Sequence, residues 1–252
     1  MLSIVIFLFG VPHGALDTLY ARQLYRIKSI PAWAAFGLGY LAIAALVVGL
    51  WVALPMVFLI GFLLISAFHF SGDPQGDVGF FRRVLYGGSV LICPVLLHEP
   101  QVRELYSMLA GAAARDAVVT ASRWVAWPWL IATVIAALWC ARKDWVGSLE
   151  LVSVTAVMTL LSPLLAFTVF FCGMHSVRHV MRTRDYASAR TWTNLAGVAA
   201  LPMLGTVLLA TAAWQLLPAA DLDTRLVQLV FVGLAALTVP HMILVERVRF
   251  PG

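Results

Sequence analysis

Leu160-Leu161-Ser162-Pro163-Leu164 divides the apolar stretch 147–181 in two. Read as a single helix, that stretch is overlong for a bilayer, whose hydrocarbon core takes roughly 20 residues, about 17 to 25. Proline removes a backbone donor and disfavours helical geometry in the residue before it. The stretch therefore predicts one helix ending near Ser162 and a second beginning at Pro163. Working outward from this break, the same ruler marks nine apolar segments: 1–21, 31–51, 54–71, 82–98, 124–141, 147–162, 163–181, 192–217 and 226–245. The fold class expected is all-α, a polytopic transmembrane helix bundle of about eight to nine spans forming one domain over 1–252.

Composition points the same way. Of 252 residues, 62% are hydrophobic and 12% charged, and the mean hydropathy is +0.93. A soluble domain carries about 25% charged residues. The net charge of +5 does not require nucleic acid, because the basic residues sit between apolar runs, where they orient the chain in a membrane. Residues Met1 to Gly10 lack a basic leader and a small-residue cleavage site, so they read as part of a span. Cys93, Cys140 and Cys172 lie in or beside apolar runs, without the spacing of a disulfide framework or a zinc ribbon.

The charges also orient the bundle. With nine spans, and Arg22, Arg26 and Lys28 on the cytoplasmic side, thirteen Lys and Arg fall in cytoplasmic segments. Arg103, Arg115, Arg123 and Arg225 fall on the other side. Fusing the segments on either side of Pro163 would send the Arg178–Arg190 cluster outside, so the positive-inside bias favours the break. The segment 99–123 mixes Glu99, Arg103, Glu104, Arg115 and Asp116 with apolar residues, as an amphipathic helix lying on the outer surface would.

This topology assigns depths to the histidines. His13, His69, His175, His179 and His241, from four separate spans, fall toward the cytoplasmic half; His98 falls at the opposite face. Helix bundles commonly build metal sites from side chains on facing helices, and ionisable groups inside a membrane are costly and usually functional. His175 and His179 are four residues apart, hence on one helical face, where two imidazoles can serve one metal. The alternative is a helix end where histidines meet headgroups. Asp17 and Asp73 each follow a histidine, His13 and His69, by one turn, where a carboxylate can fix an imidazole tautomer. Their alternatives are a Pro-Gly kink around Gly10-Val11-Pro12-His13-Gly14 and a solvated cap after Phe68-His69-Phe70. His241 follows Pro240 and reads as reserve ligand, outer support or structural histidine. Phe68, Phe70, Phe167, Phe170 and Phe171 flank the histidines and either line a substrate channel or face lipid.

Together the motifs resemble the Brp/Blh family of bacterial membrane β-carotene 15,15′-dioxygenases. The matching pieces are Gly10-x-Pro12-His13-Gly14-Ala15-x-Asp17, His69-Phe70 with a following acidic residue, His175-Ser176-x-Arg178-His179, and Pro240-His241. They span nearly the whole chain. After His69-Phe70 the chain runs Ser71-Gly72-Asp73, where the family pattern implies glycine directly after the phenylalanine. The resemblance implies Fe(II) held by His13, His69, His175 and His179, with Asp17 and Asp73 outside the ligand shell. It also implies O2 and a carotenoid, β-carotene, as reactants, retinal as product, and a place in the bacterial inner membrane. Four imidazoles on an octahedral ion leave two positions open. Cleavage that keeps both oxygen atoms needs no external reductant, and the chain has no Rossmann glycine fingerprint or cysteine set for an iron–sulfur cluster.

Other classes fit less well. A transporter or proton-coupled carrier would use the histidines and aspartates as a relay, but the sequence shows no internal repeat. A retinal photoreceptor needs a lysine within a span, and Lys28 and Lys143 lie at span ends. A diiron desaturase needs several histidine boxes, including His-x-x-His-His, which is absent from the sequence.

Overall fold

A computed structural model describes residues 2–76, 78–186, 191–217 and 221–249, with the side chains of 11–13 and 249 outside the description. Among the described residues every regular element is a helix. In chain order these are α1 (Leu2–Ala15), α2 (Asp17–Tyr25), α3 (Ile30–Ala53), α4 (Pro55–Phe70), α5 (Phe80–Ile92) and α6 (Val95–Cys140). There follow α7 (Trp145–Leu160), α8 (Pro163–Phe170), a π-helical turn (Phe171–His175), α9 (Ser176–Tyr186), α10 (Trp192–Leu216) and α11 (Leu222–Arg249). Among the described residues five helical stretches are long and apolar enough to cross a membrane: Ile30–Ala53, Val95–Cys140, Pro163–Tyr186, Trp192–Leu216 and Leu222–Val248. Pro55–Phe70 and Trp145–Leu160 are shorter apolar helices. Large apolar side chains such as Leu38, Leu46, Leu138, Trp139 and Leu201 are exposed, as side chains that face lipid rather than water would be.

The break at Pro163 is present. Leu161 has extended φ/ψ and ends α7, and Pro163 opens α8, where its missing N–H costs no helical hydrogen bond. The segment expected at 1–21 is divided instead. α1 stops at Ala15 and α2 restarts at Asp17. Gly10, Pro12 and Gly14 are poor helix formers crowded into one turn. The segment expected at 82–98 ends at Ile92 in α5, and a non-helical His98 marks the entry to the next stretch.

Within α6, Gly111 has φ +78° and ψ 176°, a conformation open essentially to glycine alone. Arg103 pairs with Asp116 at 2.8 Å and Arg123 with Glu99 at 3.3 Å. A straight helix would hold Glu99 and Arg123 about 36 Å apart. The chain therefore reverses at Gly111, so the segment 99–123 is a helical hairpin rather than one amphipathic helix. Val95, Val102 and Val119 close its apolar side against Tyr106.

The chain falls into two compact units. The first comprises residues 3–53 and 176–252. In it Ala15 and Leu16 pack against Leu195 and Ala199 of α10, and the Tyr40 hydroxyl on α3 reaches the Leu237 carbonyl of α11 at 3.2 Å. The second comprises 54–175. Here α5 lies so close to α4 that a Cβ at Gly87 would strike the Ala67 carbonyl and come within 2.7 Å of Ser71 N. The neighbouring Gly88 accommodates the Trp129 ring of α6, whose indole N–H donates to the Leu85 carbonyl at 3.2 Å. Small residues at such contacts let helices approach closely.

Candidate active site

In the second unit the C-terminal turn of α4 supplies His69, the loop after it supplies Asp73, and the π-helical turn supplies His175. All three are buried. His175 Nδ1 lies 2.9 and 3.0 Å from the two Asp73 carboxylate oxygens. A carboxylate accepts only, so this contact places a proton on Nδ1, and in the neutral ring the lone pair then lies on Nε2. His69 Nε2 lies 3.1 Å from that same Nε2. The two nitrogens can share one proton, or both can present lone pairs to a cation. Two ligands at right angles on an ion with metal–nitrogen bonds of about 2.1 Å stand about 3.0 Å apart. The donor set therefore fits a metal.

Aromatic rings enclose this pair. Phe70 meets His175 edge-on at 4.9 Å, and Phe170 and Phe171 stack on it at 6.1 and 5.5 Å. Phe167 stacks on Phe171 at 5.2 Å. Phe70, Phe167, Phe170 and Phe171 thus form one apolar wall around an imidazole. Phe68 is half exposed, and among the described residues it makes no ring contact with that wall. The extra residue per turn of the π-helix rotates the ring positions relative to a regular α-helix, and such turns recur at functional sites.

The first unit carries a second group. His179 on α9, His241 on α11 and Asp17 at the start of α2 are all buried, and one ligand-type atom from each lies within 4.8 Å of the others. His241 Nδ1 lies 2.6 Å from Asp17 Oδ1, and the Tyr40 hydroxyl donates to Asp17 Oδ2 at 2.9 Å. The Thr183 hydroxyl lies 2.8 Å from the His179 carbonyl, 2.8 Å from Tyr20 Oη and 3.2 Å from His179 Nε2.

His13 lies in α1. Asp73 meets His175 and Asp17 meets His241, each an imidazole from a distant stretch; the side chain of His13, one turn before Asp17, lies outside the described residues. Asp73 is buried, which rules out a solvated cap. His98 holds the Leu160 carbonyl at the end of α7 at 3.2 Å. Tyr40, Tyr20 and Thr183 were not singled out by sequence reasoning. The signal available was a hydroxyl inside an apolar run, as at Gly39-Tyr40-Leu41.

A family model described as β-carotene 15,15′-dioxygenase matches residues 4–248. The chain belongs to this family. Among curated relatives of this dioxygenase family, the β-carotene 15,15′-dioxygenase of uncultured marine bacterium 66A03 is 27% identical over 274 residues, covering 99% of this chain and 93% of the relative. The probable β-carotene 15,15′-dioxygenase Blh of Halobacterium salinarum is 28% identical over 279 residues, covering 94% and 80%. No solved structure matches the chain. Of the motif residues seen in the sequence, Asp17, His69, Phe70, His175, His179 and His241 lie in the two buried groups.

Proposed function

We propose that this protein cleaves the central C15=C15′ bond of β-carotene with O2, giving two molecules of retinal, and that it does so with Fe(II) held by His13, His69, His175 and His179. The observation that carries the reading is the family match over 4–248, falling on a chain in which His69, His175, His179 and His241 are buried and His175 and His241 each meet a carboxylate. The reaction is balanced without a further reductant: one C=C bond breaks, and each carbon takes one oxygen atom of the same O2. Iron, when bound, supplies the unpaired electrons through which triplet O2 can react with a closed-shell polyene.

The protein's own contribution follows from its residues. Asp73 holds the His175 ring in one tautomer and one orientation. The wall of Phe70, Phe167, Phe170 and Phe171 excludes water and offers apolar surface to a conjugated chain. The exposed apolar faces of the long helices keep the protein in the phase where a carotenoid dissolves, so substrate can enter from the side of the bundle. We further place the protein in the bacterial inner membrane with nine spans and the motif histidines toward the cytoplasmic half. The nine apolar segments and the thirteen-to-four distribution of Lys and Arg support that topology.

The test is expression in bacteria that accumulate β-carotene, with pigments separated by chromatography. Loss of β-carotene with two retinal formed per molecule is the expected result. Products of unequal length would overturn central cleavage. Undiminished pigment with folded, membrane-inserted protein would overturn the activity. Purified protein with no bound iron, yet active, would overturn the cofactor.

A further inference from the structure

We propose that His241 is a ligand of the same metal that His179 ligates, presented by a Tyr40–Asp17 brace, so that the histidine set is larger than the four the motifs imply. The inference rests on the iron reading above. It starts from the parallel between two imidazole–carboxylate pairs. In one, Asp73 holds Nδ1 of His175 at 2.9 Å. In the other, Asp17 holds Nδ1 of His241 at 2.6 Å. His175 is one of the motif-derived ligands, and His241 is held in the same way by the same chemistry. Both contacts place a proton on Nδ1 and, in the neutral ring, leave Nε2 as the electron-pair donor, the arrangement in which metal-bound histidines are generally oriented.

Position supports the assignment. The His241 ring stands 4.8 Å from the His179 ring, nearly edge-on, and ligand-type atoms of Asp17, His179 and His241 gather within 4.8 Å. The brace is fixed from behind. Tyr40 donates to the far oxygen of Asp17 at 2.9 Å, and its hydroxyl also lies 3.2 Å from the carbonyl of Leu237, one turn before His241. Tyrosine, carboxylate and imidazole are thus tied to one turn of α11. A carboxylate–imidazole pair buried in an apolar bundle is costly to desolvate, and a pair kept only to join helices could be replaced by apolar packing. Orienting a donor nitrogen is a role that apolar packing cannot fill.

The test uses the full-length protein purified in detergent, loaded separately with Fe(II) under anaerobic conditions and with Co(II). Bound metal per chain is measured by chelator competition, and ligation by the visible d–d bands of the cobalt form. Wild type, His179→Ala, His241→Ala, Asp17→Asn and Tyr40→Phe are compared. We expect Asp17→Asn to weaken metal binding about 10–100-fold, Tyr40→Phe to weaken it about tenfold, and His241→Ala to weaken it more than Asp17→Asn. The cobalt bands of His241→Ala should change, and added imidazole should restore both the bands and the metal content. Where His241→Ala does not elute as a monodisperse species, His241→Asn replaces it under the same criteria. If wild type binds no metal, or His179→Ala binds it as wild type does, the iron reading falls and this inference with it. If His179→Ala loses metal while the His241 variant keeps wild-type affinity and cobalt bands, the role of His241 alone is overturned.

Discussion

His175 shows how one residue is made useful by its surroundings. Its Nδ1 is tied to a buried carboxylate, its Nε2 faces His69 Nε2 at 3.1 Å, and three phenylalanine rings hold its plane. Removing the carboxylate while keeping its shape should leave the fold intact and loosen the ring. Asp73→Asn is therefore expected to lower metal affinity and retinal formation about 10–100-fold, measured by iron content and by retinal yield in a β-carotene-accumulating host. His175→Ala should lose more than that in both readouts while keeping its helical circular dichroism. Full activity in His175→Ala would remove this residue from the site. The pairing of Asp73 with His175 could not be read from the sequence. Helical periodicity says which residues share a face and not which distant helix that face meets. The spacing His69-x-x-x-Asp73 lies across the end of α4 at Phe70, where the chain leaves the helix and the carboxylate is free to turn toward another partner.

At the scale of the helix, close packing and turn chemistry take over. Gly87 lets α5 rest on the backbone of α4 between Ala67 and Ser71, the turn that carries His69. Backbone atoms cannot rotate away, so Gly87→Ala must push the two helices apart. A cost of about 1–3 kcal/mol is expected, read as a lower Tm in detergent, with metal binding reduced because His69 moves with the turn. Gly111→Ala should cost a similar amount, about 1–3 kcal/mol, for a different reason: open space surrounds Gly111, and the penalty is conformational. Proteolysis of the 99–123 hairpin should accelerate in that variant. Asp144 caps α7 by accepting from Gly147 N at 2.9 Å and pairs with Arg82 at 2.5 Å. The Gly147 N–H first, and then the Arg82 guanidinium, hold its carboxyl below the ordinary carboxylate range. A lowered carboxyl stabilises the folded state fully above about pH 4 and loses that contribution as pH falls through the lowered value. Asp144→Asn should accordingly reduce Tm at neutral pH and flatten the acid-side decline. Much of this scale was legible beforehand. Apolar length and Pro163 located most helices, because burial in lipid imposes one ruler on every segment. The reversal at Gly111 was not legible, since one glycine among alanines carries no signature until its partners across the turn are known.

For the whole molecule, composition decided the solvent before any motif was considered. A chain with 12% charged residues and with Leu46, Trp139 and Leu201 largely exposed is stable where lipid covers it. The proposed nine-span topology predicts that reporters fused within 22–28, 72–81, 142–144, 182–191 and after 246 lie on the cytoplasmic side, and those within 99–123 and 218–221 on the other. A reporter fused within 99–123 that proved cytoplasmic would overturn the count. The family motifs were legible because each is short and local; the grouping of His179 with His241 and Asp17 needed the coordinates, since 224 positions separate Asp17 from His241.

That separation bears on how the protein is made. Asp17 leaves the ribosome 224 residues ahead of His241, so a negative charge destined for an apolar interior must wait through that interval before its imidazole exists. Until α11 is inserted, Asp17 must remain within reach of water or the translocation machinery. A message truncated ahead of residue 222 should yield a chain that integrates yet is cleared quickly by membrane quality control, because Asp17 never meets the group that justifies its burial.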